Sequence, residues 1–517
     1  MRIFNHKALA IAIASVGAIG TANAAGLDRS GQDITAFLQD GTYAEAVYTH
    51  VDADLTGLDA AGRAISDIAK PYGFFRYGVK TDINDSFSIG VLYDEPFGAD
   101  VNYTGDNNFV SQGAGATYGE LTKGTAAAST PVESVLRIAE WMRSGDQQLQ
   151  ERAKTTLTPR VGVAYYEKNK EKLDKINSHL NAGQISREMS LWTLQGEKFR
   201  NDSGVKGLDG QPLDGKVGKR IGEEYFKQVA ALANITQTAE DQKGQSTNVS
   251  ISTNNVTMLM GAKFGTNKNF QIYGGPSVQR LNGEVHLRGA AYQRAQGYDA
   301  KIRQDQAVGW VAGASYSKPE IALKAALTYR SEIEHTSVIN EVFPALGVAG
   351  VTSRDFSVAL PESYNLDFQT GVNPTTLLTA KVRYVPWGNF DIRPPTYGDA
   401  TARSAGVRLP IVSYDKDQWQ AEIGLGKKIS DKLSVAGNIG YDSGSGSPAT
   451  SLGPIKGYYS VGLGAKYSIT PEWSLSLGGK YLKFGDTQAQ LPTKAIVGKF
   501  EDNDGFIAGV KLAYHAK

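Results

Sequence analysis

The sequence predicts an all-β fold: a 14-stranded antiparallel transmembrane β-barrel with a short N-terminal plug and a helical extracellular insertion. Three observations predict it: an export signal at the N-terminus, long segments in which apolar and polar residues alternate, and connections that alternate between short and long. The chain also has 58 glycines and 25 tyrosines, a composition typical of a large β-structure with many turns and interfacial aromatic residues.

Residues 1–24 have the layout of a secretory signal peptide. Arg2 and Lys7 make a basic start, and an uncharged, mostly apolar run over 8–20 follows. This run is shorter than the about 20 apolar residues of a spanning helix, which argues against the alternative of an uncleaved anchor. Because the small residues Ala22 and Ala24 stand at the −3 and −1 positions of a signal-peptidase site, we expect cleavage after Ala24 and delivery to the outer membrane of a Gram-negative bacterium.

The remaining composition excludes several classes of protein. There are no cysteines, so the chain can form neither a disulfide scaffold nor a thiolate metal site. A net charge of +1 gives no reason to expect a nucleic-acid partner. The mean hydropathy is negative, and no long apolar stretch follows the signal, which excludes a bundle of membrane-spanning helices. We expect no cofactor.

The alternation is clearest in the C-terminal third. Along 418–428, Trp419, Ile423 and Leu425 face one side and Glu422 faces the other. A soluble sandwich or solenoid would also alternate, but the strands are long and their polar face carries charges, which favours a barrel with its apolar face toward lipid. On the outer wall we therefore expect Trp419, Trp473, Tyr459, Tyr467 and Tyr481.

About fourteen such segments divide the chain after the signal. They lie at 41–56, 70–82, 86–104, 247–265, 269–289, 304–317, 321–338, 353–371, 375–391, 415–429, 433–444, 454–469, 473–487 and 500–514. Tight turns are predicted at 83–85, 266–268, 318–319, 373–374, 430–431 and 470–471, with long loops between them. This arrangement predicts periplasmic turns, extracellular loops and both termini in the periplasm.

The barrel, 41–517, is interrupted by an insertion at 105–246 that we expect to be extracellular and largely helical. Thr130-Pro131-Val132-Glu133 reads as a capping box with proline at the first helical position. The insertion is either a cap with its own modest core or a surface that first catches a ligand. In the second case its apolar residues would be Leu136, Trp141, Met142, Leu191, Trp192, Leu194 and Phe199.

Several stretches together resemble the FadL family of outer-membrane long-chain fatty acid transporters, whose relatives also carry aromatic hydrocarbons. The resemblance covers 25–104 and 247–514, and the family barrel likewise has fourteen strands. The stretches are Ala25-Gly26-Leu27 with Ser30-Gly31, Ala326-Leu327-Thr328-Tyr329-Arg330-Ser331-Glu332, and Leu360-Pro361-Glu362-Ser363 followed by Tyr384 and the pair Trp387 and Phe390.

The resemblance implies a mechanism. A hatch at 25–40 lies inside the barrel, a hydrophobic ligand is captured at an extracellular groove, and a kink in the third strand releases it sideways into lipid. The partners implied are a fatty acid or similar ligand, outer-membrane lipid and the barrel assembly machinery, and we expect a monomer. A hatch also makes steric sense, since fourteen strands enclose more space than wall side chains alone can fill. Leu27, Phe37 and Leu38 are then predicted to border the ligand path.

Two further sets of residues are candidates. A carboxylate needs a donor in the lumen, and alternation points Lys324, Arg330, Lys381 and Arg383 inward. We expect Arg330 and Arg383 to border the ligand path, although lumen charges can instead pair with one another, as Arg330 would with Glu332. In the third strand, Pro96 and Gly98 interrupt the alternation, because proline cannot donate to a ladder and glycine marks a bend. They indicate the lateral opening or, alternatively, a simple bulge at the rim.

Two other functions compete with hydrophobic transport. An open diffusion porin would conduct ions through a wide lumen. A barrel lipase would need a serine beside His335 or His286, but the histidines are scattered and fall in no hydrolase or metal signature. We therefore expect no enzyme activity.

Overall fold

The computed structural model describes residues 27–113, 115–117, 120, 235, 238–344 and 348–516. The expected signal peptide and nearly all of the expected insertion helices lie outside these residues. The described chain forms a closed antiparallel barrel of fourteen strands, as the alternation predicted. Closure is made by the first and last strands, which pair from Thr42 with Ala516 to Asp54 with Asp504.

The barrel strands are numbered in chain order. They are β1 (Thr42–Asp54), β2 (Tyr72–Asp82), β3 (Phe87–Asp94 and Gly98–Asn102), β4 (Asn248–Phe264), β5 (Phe270–His286), β6 (Asp299–Lys318), β7 (Leu323–Arg330 and Ile333–Phe343), β8 (Val348–Leu360 and Ser363–Asn373), β9 (Thr376–Val385), β10 (Gln418–Lys428), β11 (Leu433–Asp442), β12 (Lys456–Ser468), β13 (Trp473–Gly485) and β14 (Asp504–Ala516).

Three strands are broken where the sequence disfavours a ladder. β3 stops at Asp94 and resumes at Gly98, the interruption that Pro96 predicted. β7 and β8 break opposite each other, at 331–332 and 361–362, although each was predicted as one continuous segment. Pro361 has no N–H to donate, which accounts for the break in β8.

Aromatic side chains form two rows on the outer wall. The five predicted residues are all exposed, from 42% for Trp473 to 69% for Tyr459. Near the long loops, ring centroids 4.6–6.0 Å apart join Trp310, Tyr329, Tyr364, Tyr384 and Trp419. Near the tight turns, Phe264, Phe270 and Tyr316 make a second row. Two such rows are typical of a wall with an aromatic belt at each membrane interface.

The long loops pack into a second core over the mouth of the barrel, which the alternation did not predict. It includes helix α1 (Pro395–Ala405) and a five-stranded sheet formed by Gly57–Asp59, Ala64–Ile65, Ala449–Thr450, Thr487–Gln490 and Ile496–Phe500. Buried aromatic residues hold it together, among them Tyr103, Phe109, Tyr298, Trp387 and Phe500. No helix in the described part of the chain is long and apolar enough to cross a membrane.

Candidate functional site: the hatch and the interrupted third strand

The N-terminal segment 27–40, which we call the hatch, lies inside the barrel. Its acidic residues are held by inward side chains from several strands. Asp28 pairs with Arg383 of β9 at 2.6 Å, and Asp33 pairs with Lys381 of the same strand at 2.8 Å. At the other end, His515 of β14 lies 2.6 Å from the backbone oxygen of Asp40. Contacts from separate parts of the wall place the hatch inside the lumen.

Two further inward cations, Arg330 and Lys324, also bind the hatch. Arg330 donates to the backbone oxygen of Gln32 at 3.3 Å and to the Thr257 hydroxyl at 3.2 Å, and Lys324 donates to the backbone oxygen of Leu38. The expected pair between Arg330 and Glu332 is wrong. Arg330 is buried but Glu332 is exposed, because β7 breaks between them and its alternation does not carry across.

The predicted ligand-path residues are all in this neighbourhood. Arg330 and Arg383 both contact Gln32, while Leu27, Phe37 and Leu38 are buried among hatch and wall residues. A role in binding a ligand stays a prediction for each of the five. The sequence did not indicate that the two arginines would bind hatch oxygens, because alternation gives the direction of a side chain and not its partner.

The middle of the hatch packs against the wall through an apolar cluster. Ile34, Ala36, Phe37 and Leu38 are at most 5% exposed, and the Phe37 ring lies 5.8 Å from the Tyr273 ring. Inward-facing glycines make room for this cluster. A Cβ at Gly78 would lie 2.7 Å from the Ala36 Cβ, and one at Gly90 would lie 2.8 Å from the Phe37 ring. The wall is therefore shaped to fit the hatch closely.

This fit predicts that a substitution in the wall can be compensated by one in the hatch. We expect Gly78→Ala to destabilise the seated hatch by about 1–3 kcal/mol, the usual cost of overpacking. Ala36→Gly removes the atom that the new methyl group would strike, so the double variant should recover most of the loss. The measurement is the midpoint of protease cleavage of the hatch in urea. Gly437→Ala is the control, because a Cβ there has its nearest neighbour at 3.3 Å, on the exposed Leu463 side chain. Additive effects of the two substitutions would contradict the proposed contact.

The start of the hatch pairs with the interruption of β3. Asp28 forms an antiparallel bridge with Phe97. The backbone N–H of Arg29 donates to the oxygen of Pro96 at 2.8 Å, and that of Gly98 donates to the oxygen of Leu27 at 2.7 Å. Hatch backbone thus supplies hydrogen bonds that a neighbouring wall strand would otherwise make.

At this level β2, the wall strand beside β3, does not pair with it. β2 and β3 pair until Tyr77 meets Tyr93, and the next bridge joins Ala69 to Val101 in the same register. Between these points, no ladder pair joins 71–76 to 94–99. A constant register shows that the strands separate here without a slip or an added residue. We call this separation the wall gap.

The wall gap adjoins the core of the mouth. The Phe97 ring lies 5.7 Å from the ring of Trp387, edge to face. Trp387 is fully buried and also contacts Phe390 and Tyr414, with centroids 5.0 and 5.3 Å away. An apolar interior therefore extends from the long loops to the interrupted strand. The sequence did indicate Trp387 and Phe390 as a pair, but not their contact with the kink.

The two histidines considered for hydrolysis contact aspartates. His335 reaches from β7 to Asp305 of β6 at 2.9 Å and to Gln279 at 3.1 Å, and His286 lies 2.6 Å from Asp299. Among the described residues, neither ring is hydrogen-bonded to a serine, and no cluster of three metal-ligating side chains occurs.

Comparison with known proteins supports the fold. A FadL homologue from Pseudomonas aeruginosa is 13% identical with a TM-score of 0.53, over 97% of this chain and 99% of that one. The toluene transporter TodX of P. putida is 11% identical with a TM-score of 0.50, over 96% and 98% of the two chains. No family model matches the sequence, and no curated protein is significantly similar to it. Identities this low show a shared fold alone, and at that level the resemblance drawn from the motifs is confirmed.

Proposed function

We propose that this chain is an outer-membrane channel for hydrophobic small molecules, with long-chain fatty acids as cargo, and that it releases them sideways through the wall gap. The observation that carries the proposal is the combination of a filled lumen and an unpaired wall at the level of Pro96. The hatch obstructs a straight path to the periplasm, whereas the wall gap lies next to the apolar interior. The shared fold with structures described as a FadL homologue and a toluene transporter agrees with it.

The energetics favour a lateral exit. At about 0.8 kcal/mol per CH₂, release of a chain of about sixteen carbons into water would cost more than about 10 kcal/mol. Transfer into lipid keeps those apolar contacts and costs almost nothing. Unpaired backbone is tolerated in a barrel wall only where protein covers it, and here the hatch provides that cover.

In this scheme the ligand enters through the mouth and passes Leu27 on its way to the wall gap. Within the described residues, the aromatic core around Trp387 borders the path from the mouth, and Arg330 and Arg383 are the candidate donors to a carboxylate. Export by the signal at 1–24, insertion by the barrel assembly machinery and a monomeric state in the outer membrane complete the proposal.

A second candidate is a channel for aromatic hydrocarbons. The observation that favours it is the cluster of rings at the mouth, where Trp387, Phe390 and Tyr414 meet edge to face and stacked. Such a surface suits a flat, uncharged ring. An open diffusion porin is less well supported, because the hatch crosses the lumen.

Uptake assays separate these candidates. The chain should be expressed in bacteria that lack their own fatty acid channel and offered labelled hexadecanoate, toluene and a disaccharide in turn. We expect hexadecanoate uptake to rise well above that of cells with an empty vector, with no gain for the disaccharide. A gain for toluene alone would support the second candidate, and a gain for the disaccharide would support a porin.

A further inference from the structure

A charged hatch side chain lies at the wall gap. The Arg29 guanidinium carbon is 4.3 Å from the centre of the Tyr72 ring on β2. On the β3 side, a Cβ at Gly98 would lie 2.5 Å from the same guanidinium. The register on both sides of the wall gap would place Tyr72 opposite Gly98. Arg29 therefore contacts both edges of the wall gap, at residues that would face each other if the ladder continued.

Arg29, like Arg330, is a buried arginine that forms no ion pair with a described residue, but Arg330 donates to Gln32 and Thr257, whereas no side-chain hydrogen bond joins Arg29 to a described residue. Arg29 is 8% exposed, its Nε has no hydrogen-bond partner, and it forms no ion pair with any residue that the structure describes. Arg383, by contrast, uses Nε and an Nη to hold Asp28. A guanidinium out of water without a partner is costly, so a group retained in this state needs a reason.

A nearby carboxylate, that of Glu95, does not pair with the Arg29 guanidinium. Glu95 is close enough to Arg29 to interact electrostatically, but forms no ion pair with it. Its Oε1 instead accepts hydrogen bonds from the Phe75 backbone N–H at 3.3 Å and from the Tyr93 hydroxyl at 3.4 Å. Glu95 thus accepts hydrogen bonds from both β2 and β3. The side-chain N–H groups of Arg29 are left available to another acceptor.

We propose that Arg29 binds the head group of an anionic amphiphile at the wall gap and makes the channel prefer carboxylic acids to neutral compounds of the same length. The guanidinium fork matches the two oxygens of a carboxylate, and the tail would lie along the apolar interior that begins at Phe97. Tyr72 holds the guanidinium in position by a cation–π contact. This inference rests on the proposed function, because it assigns the cargo's head group to the lateral exit.

The first test is a binding preference. The full chain in lipid nanodiscs is titrated with hexadecanoate and with hexadecan-1-ol, which has the same chain length and no charge. We expect Arg29→Gln to lower the preference for the acid over the alcohol by about tenfold or more, since hydrogen bonds to charged groups are the stronger ones. Arg29→Lys should keep part of it. The control is Arg303→Gln, an exposed arginine on β6, which should leave the preference unchanged. An unchanged preference in Arg29→Gln would overturn the proposal.

A second variant distinguishes a loss of the binding group from general damage to the hatch. Glu95→Gln removes a negative charge that would repel the carboxylate of the ligand while keeping the hydrogen-bonding shape of the side chain, so acid affinity should rise about threefold. A fall in affinity would count against Arg29 as the site. The outcomes also separate this inference from the proposed function. If cells that express the unchanged chain take up hexadecanoate, and the Arg29→Gln variant still prefers the acid to the alcohol, only the role of Arg29 is excluded. If they take up none, the proposed function fails as well.

Discussion

Linking the two edges of the wall gap should reduce fatty acid uptake by about tenfold or more, because release into water in place of lipid costs about 0.8 kcal/mol for every CH₂. The chain contains no cysteine, so Phe75→Cys with Glu95→Cys introduces a unique pair of thiols. These residues lie two positions beyond the last ladder pair, Tyr77 with Tyr93, and face each other in the continued register. A bifunctional methanethiosulfonate then bridges them, and labelled hexadecanoate uptake is measured before and after bridging.

The matched control links the same two strands where they are already paired. Val79 and Val91 are ladder partners, and both are exposed on the outer wall. Bridging cysteines at these positions should leave uptake unchanged. Reduction of the linker should restore transport in the first pair. Full uptake through a wall gap that mass spectrometry shows to be bridged would exclude lateral exit at this site.

Deletion of residues 26–38 should raise single-channel conductance by about tenfold or more, because a fourteen-strand barrel is too wide for wall side chains alone to fill. The deletion also removes Asp28 and Asp33, the partners of Arg383, Lys381 and Arg76. These cations would then line an open pore, so we expect the conductance to be anion-selective. Planar bilayers with a salt gradient report both quantities.

The control for this deletion is a measurement of whether the barrel still folds. None of the fourteen strands includes hatch residues, and β1 pairs directly with β14, so the wall should still close. The shift in gel mobility on heating should therefore match that of the intact chain. A folded deletion variant with unchanged conductance would mean that the segment is no hatch.

The sequence by itself determined the features that depend on neighbours along the chain. Alternation gave fourteen strands and the outward side of residues such as Trp419 and Tyr459, because lipid accepts only apolar side chains along the whole wall. Pro96 marked the break in β3, since a missing N–H acts locally and in any context. The sequence also pointed Lys381 and Arg383 inward.

The tertiary structure decided which residues meet. Alternation says that a side chain faces the lumen, but its partner there depends on how the closed wall brings together residues far apart in sequence, as with Asp28 and Arg383. For the same reason, no sequence pattern indicated that Arg29 would lie between Tyr72 and Gly98. Loop residues show no regular alternation of apolar and polar side chains, so a core built from loops cannot be predicted from such a pattern. The contact of Phe97 with Trp387 at the mouth was therefore also apparent only in the folded structure.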